Sequence, residues 1–191
     1  GDVYKRQGLD DVLKFMKKDH DLAQAYQAID RLHEAGLIYD AHIMTGVAGK
    51  GRGMENAEAL AQFLNRTNPA HVVNFSMFLH KEVPLYQDIR QGTFVPADEL
   101  ETIREEYHLI ERIAPEKAGA NILYDGFHDF IHVRVRGHLP GDKEKMLAKL
   151  NGIIQEYEGK EPVYSFVQGE CPDLEYCDDG KAVWDMDRKT S

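Results

Sequence analysis

Helices and strands alternate along the chain, and that order limits what it can fold into. "DLAQAYQAIDRLHEAGL" (21–37) sets Leu22, Ala25, Tyr26, Ile29, Leu32 and His33 on one helical face and stops at Gly36, suited to a left-handed cap. "LIYDAHIMTG" (37–46) reads as a strand, "MENAEALAQFLNR" (54–66) as an amphipathic helix ended by Asn68-Pro69, and "HVVNFSMFL" (71–79) as a buried apolar strand. A parallel pair cannot be joined by a tight turn and needs a crossover of a dozen or more residues, usually a helix. The alternation therefore predicts an α/β fold with parallel strands and outer helices.

The flanks extend the series. "LDDVLKFMKK" (9–18) places Val12, Phe15 and Met16 at helical spacing, with Asp10 or Asp11 suited to cap the first turn. "VPLYQDIRQG" (83–92) predicts a short helix, "PADELETIREEYHLIERI" (96–113) a long surface helix opening at Pro96, and "ANILYD" (120–125) a third strand. "DKEKMLAKLNGIIQEYE" (142–158) carries Met146, Leu147, Leu150, Ile153 and Ile154 as one stripe, the mark of a docked closing helix. Residues 159–191 read as an irregular tail. Two or three parallel strands cannot close a barrel, so the series reads as part of a larger sheet.

"GDVYKRQ" (1–7) resembles the translation of a transposon-end adapter used in sequencing libraries, and it is expected to be a scar rather than native sequence. The expected division is then 1–7 scar, 8–158 α/β portion with its closing helix, and 159–191 tail.

Composition narrows the function classes. A formal net charge of −10 over 191 residues argues against a basic nucleic-acid footprint in this segment. Its apolar runs fall short of the roughly 20 residues a membrane span needs, and mean hydropathy is −0.51. Two cysteines, Cys171 and Cys177, make no disulfide framework, so a reducing cytoplasm is the expected location.

The stretch that most suggests a site is "HIMTGVAGKGRG" (42–53), a strand running into a glycine-rich loop that opens a helix. It is not a P-loop, since Gly51 is followed by Arg52 and Gly53, nor does it have the GxGxxG order. A turn without a ligand is the plain alternative. Cys171 and Cys177 have five residues between them, which fits neither the CxxC pair of structural zinc nor a cluster motif, and no metal ligands are assigned. In "GFHDFIHVRVRG" (126–137), His128 and His132 share a face if the segment is helical. If it is extended, His128, Phe130, His132 and Arg134 share one instead. Arg134 and Arg136 can meet an anionic substrate or simply line a solvated strand. No nucleophile with an ordered base is evident.

In the order "LDDVLKFMKK", "LHEAGL", "HIMTGVAGKG", "NP", "VPLYQDIRQGTF", residues 8 to about 157 resemble the second half of a radical S-adenosylmethionine (radical SAM) enzyme. Gly8 matches the last glycine of that family's GxESG strand end, and "VRVRGHLPGDKEKMLAKL" resembles a segment after the barrel in uncharacterised bacterial members. The resemblance implies an open, partial (β/α) barrel that uses a 4Fe-4S cluster and S-adenosylmethionine to make a 5′-deoxyadenosyl radical. It implies that Ile43, Thr45, Gly46, Val47 and Gly49 flank the adenine, and that backbone groups of Ser76, Met77 and Phe78 meet its edge. The family's CxxxCxxC cluster motif does not occur in this sequence, which makes the missing N-terminal half of the barrel the expected partner and this fragment inactive alone. "HKEVPLY" departs from the family's GTPLY, and His80, Lys81 and Glu82 there are candidate contacts for a small-molecule substrate. Two other readings stay open: a phosphate- or nucleotide-binding enzyme using loop 46–53, and a non-catalytic interaction module.

Overall fold

A computed structural model describes residues 3–5, 9–166, 177–178 and 181–182. Its main sheet runs in sequence order through β1 (Val3–Lys5), β2 (Asp40–Thr45), β3 (His71–Ser76), β4 (Ile122–His128) and β5 (Val133–Leu139). The first three pairings are parallel and the last is antiparallel. The expectation of parallel strands thus holds through β4 and fails at β5. Only Asp129–His132 separate those two strands, a 3-10 turn closed by His132 at φ +54°, too short for a crossover. A separate pairing joins Cys177–Asp178 to Lys181–Ala182. Residues 3–5 lie in the segment expected to be a scar, and their pairing with Asp40–His42 says nothing of where they come from.

The helices are α1 (Asp10–Phe15), α2 (Leu22–Glu34), α3 (Gly53–Thr67), α4 (Leu85–Arg90), α5 (Glu99–Arg112) and α6 (Lys143–Tyr157). Asp21 opens α2 with a capping box, accepting from the Gln24 N–H while Gln24 reciprocates. Asp10 caps no turn of its own helix; it accepts from the Leu22 N–H and ties α1 to α2. In α1 the buried pair is Val12 and Leu13, whereas Phe15 is 41% exposed.

Strand alternation puts Ala41, Ile43, Val72, Ile122, Tyr124, Val135 and Leu139 on one face, where they pack with α3, α5 and α6 in a continuous core. A second core lies past the carboxyl ends of the strands, built from Val12, Val47, Met77, Leu79, Tyr86, Ile89, Phe94, Tyr164 and Phe166. Two expectations change here. Helix α5 is not a surface helix: Asp98 rather than Pro96 caps it, and Glu99, Thr102, Ile103, Glu105, Glu106, Leu109 and Ile110 are buried. The first part of the expected tail is packed as well, since Leu79 N–H donates to the Ser165 carbonyl and Glu99 N–H to that of Val163. No helix among the described residues is long and apolar enough to cross a membrane.

Candidate functional site

The carboxyl ends of β2 and β3 sit side by side, joined by a hydrogen bond of 3.0 Å from the Met77 N–H to the Thr45 carbonyl. Beyond β2 the glycine-rich loop is stitched down along its length. Gly46 N–H donates to Glu105 Oε2 at 2.9 Å, Gly51 N–H to Glu101 Oε1, and Lys50 N–H to the Val95 carbonyl at 2.8 Å. Glycine is needed at two positions. A Cβ on Gly46 (φ +80°) would come within 2.7 Å of Thr102 Cγ2, and one on Gly49 (φ +82°) within 2.9 Å of the Val95 carbonyl oxygen.

Over this loop opens a cleft of about 410 Å³. Its floor is Val47, Ala48 and Gly49, α1 forms one wall and Thr93–Val95 the other. Phe15 and Phe94 stack across it with centroids 5.8 Å apart, and Asp11 meets Arg52 at 2.8 Å on the rim. That hydrogen bond from Arg52 holds the Asp11 carboxyl below its usual range. The lining is apolar and aromatic with charge at the edge, the form of a small-molecule site.

The residues expected to flank an adenine divide by depth. Val47 and Gly49 line the cleft. Ile43 and Thr45 turn their side chains toward the helices, and Gly46 is held by Glu105, so all three offer a ligand only backbone. Ser76 and Met77 are buried, while Phe78 is 54% exposed. His80, Lys81 and Glu82 follow in the loop after β3, where His80 Nδ1 accepts from the Glu82 N–H at 3.2 Å; none lines the cleft. Gly8 and Cys171 lie outside the described residues, as does the Cys177 side chain. Neither arrangement weighed for the histidine pair occurs: His128 ends β4 fully buried, and His132 is exposed in the turn.

What the sequence reading missed is a buried charged network under these strand ends. His128 lies between two carboxylates, with Nδ1 3.0 Å from Glu99 Oε2 and Nε2 3.0 Å from Glu106 Oε2. Glu99 also accepts from the hydroxyls of Ser76, Ser165 and Thr102, and Glu106 from Asn74 Nδ2 and the Tyr124 hydroxyl. With a carboxyl group against each nitrogen, the ring holds both protons and is an imidazolium at neutral pH. Burial alone would lower the His128 pKa, but the two glutamates outweigh it and raise it to about 10. Burial likewise opposes ionisation of Glu106, yet His128 and the neighbouring donors bring its pKa below the ordinary value. Nearby Glu105, accepting from Gly46 and from Asn56 Nδ2 at 2.7 Å, is pushed up to about 8 by burial.

The network makes stability depend on pH. Held at about 10 against an ordinary 6.5, His128 gives its full contribution below pH 6.5 and loses it as pH rises to about 10. Glu105 acts in the same direction: between pH 4.5 and about 8 it ionises in the unfolded chain but not in the fold, so stability falls over that range. Urea titrations should therefore show a falling unfolding free energy from pH 6.5 to 10. Glu105→Gln should make the profile shallower below pH 8, where His128 still contributes above pH 6.5, and leave the part above pH 8 unchanged; a flat wild-type profile would contradict the assignment.

The class of fold is thus a mixed α/β sheet, parallel through β4, with helices packed on one face and loops at the carboxyl ends of the parallel strands. No family model and no curated protein matches the chain. Among solved structures it is similar to the archaeal Methanocaldococcus infernus Elp3 with an N-terminal deletion (1–46), at TM-score 0.55 and 18% identity, covering 78% of this chain and 34% of that one. This likeness shows a shared fold.

Proposed function

We propose that this chain is the C-terminal part of a radical SAM enzyme and holds the adenosyl end of S-adenosylmethionine at the carboxyl ends of β2 and β3. Elp3 is a radical SAM family member, and the likeness supports a fold of that kind. The observation that carries the reading is the cleft beyond β2, whose apolar floor and Phe15–Phe94 pair suit a planar, uncharged ring. In this reading backbone groups at the β3 strand end around Ser76–Phe78, of which Phe78 is exposed, would meet the ring's edge. With one electron from a cluster held outside these residues, the bound cofactor would be cleaved to methionine and a 5′-deoxyadenosyl radical able to take a hydrogen atom from a substrate. The chain's own part is to seat the adenine and to fix the strand ends through Glu105, Glu99 and His128.

The described residues do not fit a 4Fe-4S cluster. Among the described residues no three His, Cys, Asp or Glu side chains are placed to hold a metal, so in this reading the cluster is carried by sequence upstream. The phosphate-binding alternative is disfavoured by the loop itself: the Gly46 and Gly51 N–H groups are already bonded to glutamates, and an anion there would lie against the Glu101 carboxylate. Reading the genomic region upstream of residue 8 tests the proposal. A continuous frame with CxxxCxxC is expected, and a frame lacking it would refute the assignment.

A further inference from the structure

The sheet face opposite α3, α5 and α6 carries an ordered set of side chains that the cleft does not use. Pairing places Met44, Phe75, Phe127 and Arg134 in one row across four strands. The Phe75 and Phe127 rings stack at 5.6 Å and 17°, and the Arg134 guanidinium lies 4.7 Å over Phe127. His42 meets the Phe75 edge at 6.2 Å from the other side. In the next row Asp125 stands opposite Arg136. Asp125 accepts two hydrogen bonds from Arg134, at 2.8 and 2.6 Å, while Arg136 approaches it at 3.7 Å, beyond hydrogen-bond length. One carboxylate thus faces two guanidiniums, both about half exposed, and leaves one positive charge in excess.

We propose that this face binds a planar aromatic anion, its ring lying on Phe75 and Phe127 and its carboxylate or phosphate meeting Arg136. Three features point to that occupant rather than to an ordinary solvated strand. The flat groups form a continuous stack, the stack lies one residue short of the carboxyl ends where the adenosyl group is proposed to sit, and the cluster on β4 and β5 beside it has two guanidiniums for one carboxylate, Asp40 on the same face lying across on β2, in a chain whose net charge is −10. The claim deepens the reading above by giving the substrate class, and it rests on that reading for its catalytic meaning. Arg134, committed to Asp125, positions the stack, while Arg136 selects the charge.

The test titrates the isotope-labelled 191-residue chain with 2-naphthoate, with its uncharged analogue 2-naphthylmethanol, and with acetate, following backbone amides by NMR. Naphthoate should shift amides in Val73–Ser76, Asp125–His128 and Arg134–Arg136. The alcohol should bind about three- to fivefold more weakly, and acetate should leave these amides unmoved. Phe127→Leu and Arg136→Gln should each weaken naphthoate binding by a similar factor; spectra of the unliganded variants establish that they fold. Equal binding of acid and alcohol, shifts confined to the cleft over Val47–Gly49, or no effect of either substitution would overturn the proposal. S-adenosylhomocysteine added in parallel separates the two claims. Binding of that ligand at the strand ends without naphthoate on the face refutes only the platform, and the converse refutes only the radical SAM reading.

Discussion

Replacing His128 with leucine should destabilise the fold by about 3–5 kcal/mol at pH 7, because it removes the imidazolium lying between the buried Glu99 and Glu106 and leaves the Glu106 charge without its cation. The loss should shrink in acid, where Glu106, no longer beside a cation, can take up a proton. The triple variant Glu99→Gln, Glu106→Gln, His128→Leu, which removes the charges together, should recover part of it. Urea denaturation at pH 7 and pH 4.5 measures all of this. A His128→Leu variant equally destabilised at both pH values would mean that lost packing, not unpaired charge, explains the effect.

Gly126→Ala should be nearly as damaging. Gly126 sits on the helix side of β4, and a Cβ there would overlap Glu106 Oε1, 2.9 Å from its carboxyl carbon and 3.1 Å from the Tyr124 ring. Glu106 would have to leave its place among His128, Asn74 and Tyr124, which should cost about 3 kcal/mol or more. Gly152, mid-way along α6 with open space where its Cβ would go, is the control: Gly152→Ala should stabilise by about 0.5–1 kcal/mol. Thermal melts of the two variants should move in opposite directions, and equal destabilisation by both would contradict the close approach of Glu106 to β4.

The pattern of elements was legible because periodicity and crossover length are local properties. Asn68-Pro69 ended α3 and Gly36 took its left-handed turn as composition foretold. The antiparallel return of β5 was hidden by its turn, where no Asn-Gly or Asp-Gly marks the hairpin and His132 supplies the positive φ instead. Helix α5 was misjudged because its acidic residues look like a solvated face. A signal was present all the same: Glu99 and Glu106, seven apart, fall on the same stripe as Thr102, Ile103, Leu109 and Ile110. Asn74 with Ser76, and Gly126 with His128, are polar or small at alternate strand positions that should face a core. Pairing polar residues across elements needs tertiary structure, so the carboxylates of α5 and the imidazole of β4 could be joined only once the fold was known.

The depth of the residues expected to flank an adenine was likewise beyond local reading. Ile43 and Val47 are both small, apolar and close in sequence, yet the strand ends between them. One faces the helices and the other floors the cleft. The same boundary brings Gly46 and Gly49 of the loop close against Thr102 and Val95.

Titration of the labelled chain with S-adenosylhomocysteine should shift the Thr45–Gly49 and Ser76–Phe78 amides, and inorganic phosphate should leave those positions unmoved. No shift there from S-adenosylhomocysteine, together with phosphate-induced shifts over Lys50–Gly53, would contradict the proposed adenosyl site and return the glycine loop to phosphate binding.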